Sequence, residues 1–193
     1  GHHRVAAEPV VVLAHDTTEV ELTRPEQQVS GAGPLDGGSR QGALLHDLHA
    51  FTPDGTPLGT VAATVWARDQ RPTASQATQA TQATQATRAT RAQRAATPIE
   101  QKESRRWIET WQTACRSAAQ WPATRVIVVA DSEADVYEHL VAASGSETCD
   151  WIVRAAQDRA LSGDPRETPG EQRLGAHLER QPALFRRSIA VRG

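Results

Sequence analysis

Two aspartates each close an apolar run, V-V-V-L-A-H-Asp16 and V-I-V-V-A-Asp131. An apolar run that ends on an acid is the pattern of a buried strand delivering a carboxylate to one edge of a sheet, where open α/β sheets bind their ligands. Two carboxylates set side by side repel each other until a cation comes between them, and hard oxygen ligands suit Mg²⁺. A pair of such ions activates an attacking oxygen and stabilises a leaving one. The matched placement therefore predicts metal-dependent phosphoryl transfer, provided the rest of the chain brings the two strand ends together.

Each acid also has a plainer explanation. Asp16 before Thr17-Thr18 could simply turn the chain. Asp131 could be an N-cap, and Glu133 and Asp135 are read as acids favoured by a helix N-terminus. For Asp131 alone the two readings balance; its pairing with Asp16 favours the metal. The histidines are weaker candidates. His46 and His49 stand at an odd spacing in a strand, so they face opposite ways and cannot share a metal, and His15 faces away from Asp16 for the same reason. His2 and His3 are placed at a frayed terminus. The glycine-rich stretch 31–38 lacks the Gly-Lys-Ser/Thr of a phosphate-cradling loop and is read as a connection. Trp107 and Trp111, four residues apart, are expected in the core.

The elements that must position the two aspartates follow from pattern. Val10–Ala14 is a buried strand whose far end, through V-E-L, becomes half exposed. A-L-L-H-D-L-H-A-F and L-G-T-V-A-A-T-V-W-A flank T-P-D-G-T-P, which makes a β-hairpin. Ile99, Trp107, Ile108, Trp111 and Cys115 recur at helical spacing, so an amphipathic helix ends near Trp121-Pro122. The V-I-V-V strand follows, then a helix over 133–143, a short strand Trp151-Ile152-Val153, a polar loop over 157–172 and a short helix over 174–180. Three strands in an antiparallel meander, then a helical crossover to a fourth, require that fourth strand to run parallel to one already in the sheet. This order predicts an α/β, RNase H-like core with a mixed sheet, the fourth strand beside the first. The organisation expected is a first half of that core over 1–69, a low-complexity Gln-Ala-Thr and Arg-Ala insertion over 70–97, a second half over 98–156, and the start of an extension over 157–193. The insertion, with Arg88, Arg91 and Arg94, offers nothing large and apolar to pack and is expected to be disordered or loosely helical.

Bulk composition narrows the partners. With 193 residues the chain can build one domain with a real core. Its 21 Lys and Arg against 23 Asp and Glu leave a formal charge of −2, so any nucleic-acid surface must be local. The apolar runs are too short to span a membrane or to form a signal peptide. Cys115 and Cys149 form no C-x-x-C pair and are read as two reduced thiols of a cytoplasmic protein. The absence of methionine and the abrupt ends, with Arg187 to Arg192 starting a strand, suggest a fragment.

The same residues carry a resemblance. L-A-H-D-T-T-E-V, G-A-G-P-L, L-L-H-D-L-H-A-F-T-P-D-G-T-P-L-G, V-W-A-R-D, I-E-Q-K-E-S-R-R-W and V-V-A-D-S-E-A-D-V-Y-E-H-L, followed by W-I-V-R-A, occur in this order over most of the chain outside the insertion. The set resembles the DDE transposases of bacterial insertion sequences, in the IS-four-like branch that includes the Tn-five-type enzymes. The resemblance implies DNA nicking at transposon ends and strand transfer into target DNA. It also implies two divalent ions (Mg²⁺ or Mn²⁺) and a homodimer in the complete protein, and a location in the bacterial cytoplasm with the nucleoid. It makes Asp16 the first catalytic and metal-binding Asp, Asp131 the second, and Arg154 a basic residue near the DNA backbone.

Two departures stand out. The family's third carboxylate is a Glu within a signature of Tyr, Arg, Glu and Lys, and no such stretch occurs here. Ser132 stands where the family commonly has Arg; if that Arg contacts phosphate, its loss removes a charge-assisted bond worth roughly 1.5–3 kcal/mol. The chain by itself is therefore expected to be inactive. Two rivals remain: a haloacid-dehalogenase-like phosphatase with Asp16 as nucleophile, and a non-catalytic DNA-binding or dimerising remnant of a transposase.

Overall fold

The computed structural model describes residues 2–23, 29–36, 40–68, 102–163 and 169–184. The 70–97 insertion, Ile99 and the strand expected at 187–192 lie outside them. The chain divides into two compact units, Gly1–Arg154 and Ala155–Gly193.

The larger unit is mixed α/β. In chain order it holds α1 (His2–Val5), β1 (Val10–Glu21), β2 (Gly33–Pro34), β3 (Gln41–Phe51), β4 (Pro57–Trp66), α2 (Arg105–Ala118), β5 (Arg125–Ala130), a 3₁₀ turn (Ser132–Ala134), α3 (Tyr137–Ser144) and β6 (Asp150–Val153). All six strands form one sheet in the order β2-β3-β1-β5-β6, with β4 also paired to β3. The β1–β3 and β3–β4 ladders are antiparallel, whereas β5 runs parallel to β1 and β6 parallel to β5. The fourth long strand thus lies beside the first, as the crossover argument required.

Alternation decides which face is buried. Val11, Leu13 and His15 of β1 are buried, as are Leu44, His46, Leu48 and Ala50 of β3 and Val126 and Val128 of β5. Against them pack Trp111, Ala114 and Ala118 of α2, together with Trp121. Trp107 is also buried, so both tryptophans serve the core as expected. Burying an aromatic side chain of this size contributes on the order of 3 kcal/mol.

Several local expectations need correction. From His2 the chain is held rather than frayed: Val5 is fully buried and the His2 ring lies tilted against Trp121, ring centres 5.4 Å apart. The glycine-rich stretch contributes β2, whose Gly33 and Pro34 pair with Gly42 and Gln41. A Cβ on Gly33 would lie 2.1 Å from the Arg68 carbonyl oxygen, so the close approach demands glycine. The helix expected over 133–143 is broken. Val136 is extended (φ −109°, ψ 141°), so a 3₁₀ turn comes first and the α-helix starts at Tyr137.

Most consequential, β1 runs on to Glu21, half exposed at its far end as the V-E-L alternation implied, with partners on β3 as far as Gly42; Asp16 therefore lies in mid-strand and not at a strand end. The turn reading of Asp16 fails with it.

The ends of the stretch 69–101 are held together. Arg68, just past β4, makes a two-pronged bond to Glu103 (2.7 and 2.9 Å) and a third contact to Asp36 at 2.9 Å. The Arg106 guanidinium lies 3.9 Å from the centre of the Trp66 ring. These contacts raise the Arg68 pKa and hold the Glu103 carboxyl below its usual range, chiefly through their mutual hydrogen bonds.

The smaller unit has a 3₁₀ turn (Gly170–Gln172), α4 (Leu174–Glu179) and a bridge between Ala160 and Arg173. None of its described side chains is fully buried. The Gly175 amide donates to Asp158 Oδ1 at 2.9 Å.

Candidate functional site

The parallel β1–β5 register runs from Val10 with Arg125 to His15 with Ala130. The next residues in step are Asp16 and Asp131, where β5 leaves the sheet. Their alternation places them with Val12, Ala14, Ile127 and Val129, on the face opposite the buried layer of His15 and Val128. A mid-strand acid on β1 and a strand-end acid on β5 thus come level from opposite parts of the chain.

Local backbone groups orient each carboxylate. Asp16 Oδ1 accepts the Thr17 amide at 2.7 Å, and Asp131 Oδ1 accepts the Glu133 amide at 2.8 Å. Asp131 is therefore the cap of the 3₁₀ turn and a neighbour of Asp16 at once; its two readings do not compete. Both side chains are exposed, and Oδ2 of each makes no hydrogen bond to a described residue.

More negative charge surrounds the pair. In the antiparallel ladder Asp47 stands directly opposite Asp16. Much of the Glu133 side chain reaches solvent. Even so, its carboxyl is raised above the usual range, first by partial desolvation and then by Asp131, Asp16 and Asp36. Asp135, read from the sequence as an acid favoured by a helix N-terminus, is buried. The sequence offered no signal for Asp47, because nothing local says which residue of β3 will face Asp16.

On the other side of β1 lies a layer of three buried imidazoles. His15 and His46 have ring centres 5.5 Å apart and His15 and His139 5.8 Å apart, with the Trp107 ring against the first two. His46 Nδ1 bonds the Thr17 hydroxyl at 2.7 Å, and His139 Nδ1 bonds the Ala134 carbonyl at 3.0 Å. Burial depresses all three pKa values. His15 falls furthest, to about 3, helped by repulsion from His46 and His139. For His46 the charges of Asp16 and Asp47 work in the opposite direction. Next to this layer opens a cleft of about 460 Å³, lined among others by Thr17, Glu19, Asp36, Trp66, Arg68 and Glu133.

Arg154 follows β6 directly, and its amide donates to the Ala130 carbonyl at 3.1 Å, which carries the β5–β6 register one step further. Asp47, Asp16, Asp131 and Arg154 are thus successive positions in one line across four strands. The Arg154 side chain is exposed.

Among the described residues, no group of three or more His, Cys, Asp or Glu side chains is arranged to hold a metal ion. A pair of outward carboxylates nevertheless suits Mg²⁺, which binds through one or two carboxylates and keeps most of its water or takes substrate phosphate oxygens. No described helix is long and apolar enough to cross a membrane. No protein-family model matches the chain, and no curated protein is detectably similar to it.

Proposed function

We propose that the larger unit is an RNase H-like nuclease core of a DNA transposase, with Asp16 and Asp131 as two of its catalytic carboxylates. The observation that carries this reading is the register, which makes these two acids neighbours at the point where β5 leaves β1. The strand order, with a helix between β4 and β5 and another between β5 and β6, supports it. So does the order of motifs along the chain, from A-H-D-T-T to A-D-S-E-A-D.

Asp16 and Asp131 are exposed and level in register, and the excess of carboxylates around them favours a divalent cation there. Such ions supply charge neutralisation and activation of an attacking oxygen during phosphodiester cleavage. The Thr17 and Glu133 amides keep the carboxylates in place, which limits the reorganisation needed on binding. Arg154 lies in line to pair with a backbone phosphate of bound DNA. Without the Tyr-Arg-Glu-Lys signature the third carboxylate is missing, so this chain alone binds ions weakly and does not cut.

The phosphatase reading fits less well. It requires Asp16 at the end of a strand that crosses to a helix, whereas β1 runs past Asp16 and the described residues lead by β2 into β3 of the same sheet.

The deciding experiment titrates the chain with Mn²⁺ and assays nicking of a DNA duplex and hydrolysis of a small phosphate ester. We expect weak ion binding that Asp16→Asn and Asp131→Asn each abolish, with neither activity. Ester hydrolysis lost with Asp16→Asn alone would favour the phosphatase. Mn²⁺ binding unchanged in both variants would remove the metal site.

A further inference from the structure

Cys115 and Cys149 are far apart in sequence and adjacent in the fold. Cys115 lies in the last turn of α2, and Cys149 immediately precedes β6. Cys149 belongs to the buried core and Cys115 packs against it, half exposed. Both converge on one hydroxyl: the Cys115 thiol is 3.7 Å from Ser146 Oγ, which accepts the Cys149 amide at 3.3 Å. Asp150 pairs with Ile127, so Cys149 is level with Val126, at the end of β5 remote from Asp131. At ~3.3 Å per residue this puts the thiols some 16 Å along the strand from the acidic pair.

We propose that Cys115 and Cys149 are a redox-reactive pair that closes to an intramolecular disulfide by exchange with a low-molecular-weight disulfide. This inference is independent of the transposase reading. The more exposed Cys115 thiolate attacks one sulfur of the small disulfide, forming a mixed disulfide and releasing one small thiolate. The Cys149 thiolate then attacks the Cys115 sulfur and releases the second. Two protein thiols are oxidised, one small disulfide is reduced to two thiols, and the two protons pass to the departing thiolates. Burial first, and then the neighbouring Cys115, push the Cys149 thiol up to about 12, so Cys149 is the slower, resolving partner. The bond ties the end of α2 to the start of β6, where Arg125 and Asp150 already form an ion pair at 2.6 Å.

The test treats the full chain with oxidised glutathione and follows intact mass, peptide mapping and thermal melting. A monomer lacking two hydrogens, with a Cys115–Cys149 cross-linked peptide, is expected. Its formation should quicken as pH rises, and its Tm should lie roughly 5–10 °C above that of the reduced chain. Cys149→Ala should instead stop at a glutathione adduct on Cys115. A stable adduct on wild-type Cys115, a disulfide-linked dimer, or two unreacted thiols would each overturn the proposal. The wild-type comparison does not depend on the variant folding.

Discussion

Asp47 and Asp16 stand directly opposite each other in the β1–β3 ladder, and Asp131 stands level with Asp16 on the other side. Like charges opposite one another in a sheet cost roughly 0.2–1 kcal/mol. Asp47→Asn should therefore raise Tm by a few degrees at low ionic strength, with the gain shrinking in millimolar Mg²⁺. Melting curves with and without the ion check this; an unchanged Tm at low salt would show that the two carboxylates do not interact.

Capping and metal binding can be separated at Asp131. Asn caps as well as Asp, whereas Ala loses the bond to the Glu133 amide. Asp131→Ala is expected to cost about 1 kcal/mol in chemical denaturation and Asp131→Asn almost nothing, although both lose divalent-ion binding. Equal destabilisation by the two would falsify the capping role.

A pH dependence follows from the buried imidazoles. Burial lowers the folded-state pKa of His139, so below its unfolded value of about 6.5 the unfolded chain binds the proton that the folded chain refuses. Stability is then complete above that pH and falls as the solution is acidified through it. The slope is at most about 1.4 kcal/mol per pH unit for each such imidazole. His139→Leu should flatten the loss of stability between pH 6.5 and 5, measured by urea unfolding at a series of pH values.

Gly42 is constrained by its neighbour. A Cβ there would lie 2.1 Å from the Val20 carbonyl oxygen and 2.8 Å from Leu35 Cδ1. Gly42→Ala must force β1 and β3 apart where both extend beyond Asp16, at a cost of roughly 2 kcal/mol or more. Circular dichroism melting reads the effect directly.

The contacts of Arg68 with Glu103 and of Arg106 with Trp66 close the gap that the 70–97 stretch spans. A short Gly-Ser linker in its place should leave Tm within a few degrees, since loop-closure entropy changes slowly with length. Arg68→Ala should matter more in the shortened chain than in the full one, as a double-variant comparison would reveal.

Much of the fold was legible in sequence because it rests on local periodicity. The apolar run V-V-V-L-A-H, the strand-like A-L-L-H-D-L-H-A-F, the Pro-Asp-Gly turn and the helical spacing of Trp107 and Trp111 are each signals within one element. From them the parallel pairing of the fourth long strand with the first follows by connectivity. Element ends were less legible. β1 outlasts its apolar run because β3 supplies hydrogen bonds to the polar residues; the V-E-L alternation hinted at this, but nothing local showed that Asp16 would sit in mid-strand. The helix after Asp131 starts late because Val136 adopts an extended conformation that propensity alone does not impose.

The sequence by itself determined the chemical types: two acids closing two apolar runs, and two thiols with no local motif. Tertiary structure decided which of these groups meet. Parallel register set Asp131 level with Asp16, antiparallel register added Asp47, and packing of α2 against α3 and the segment after it brought Cys115 to Cys149. Each of these neighbours depends on hydrogen-bond pairing or burial between segments far apart in the chain, and no pattern within either segment encodes them.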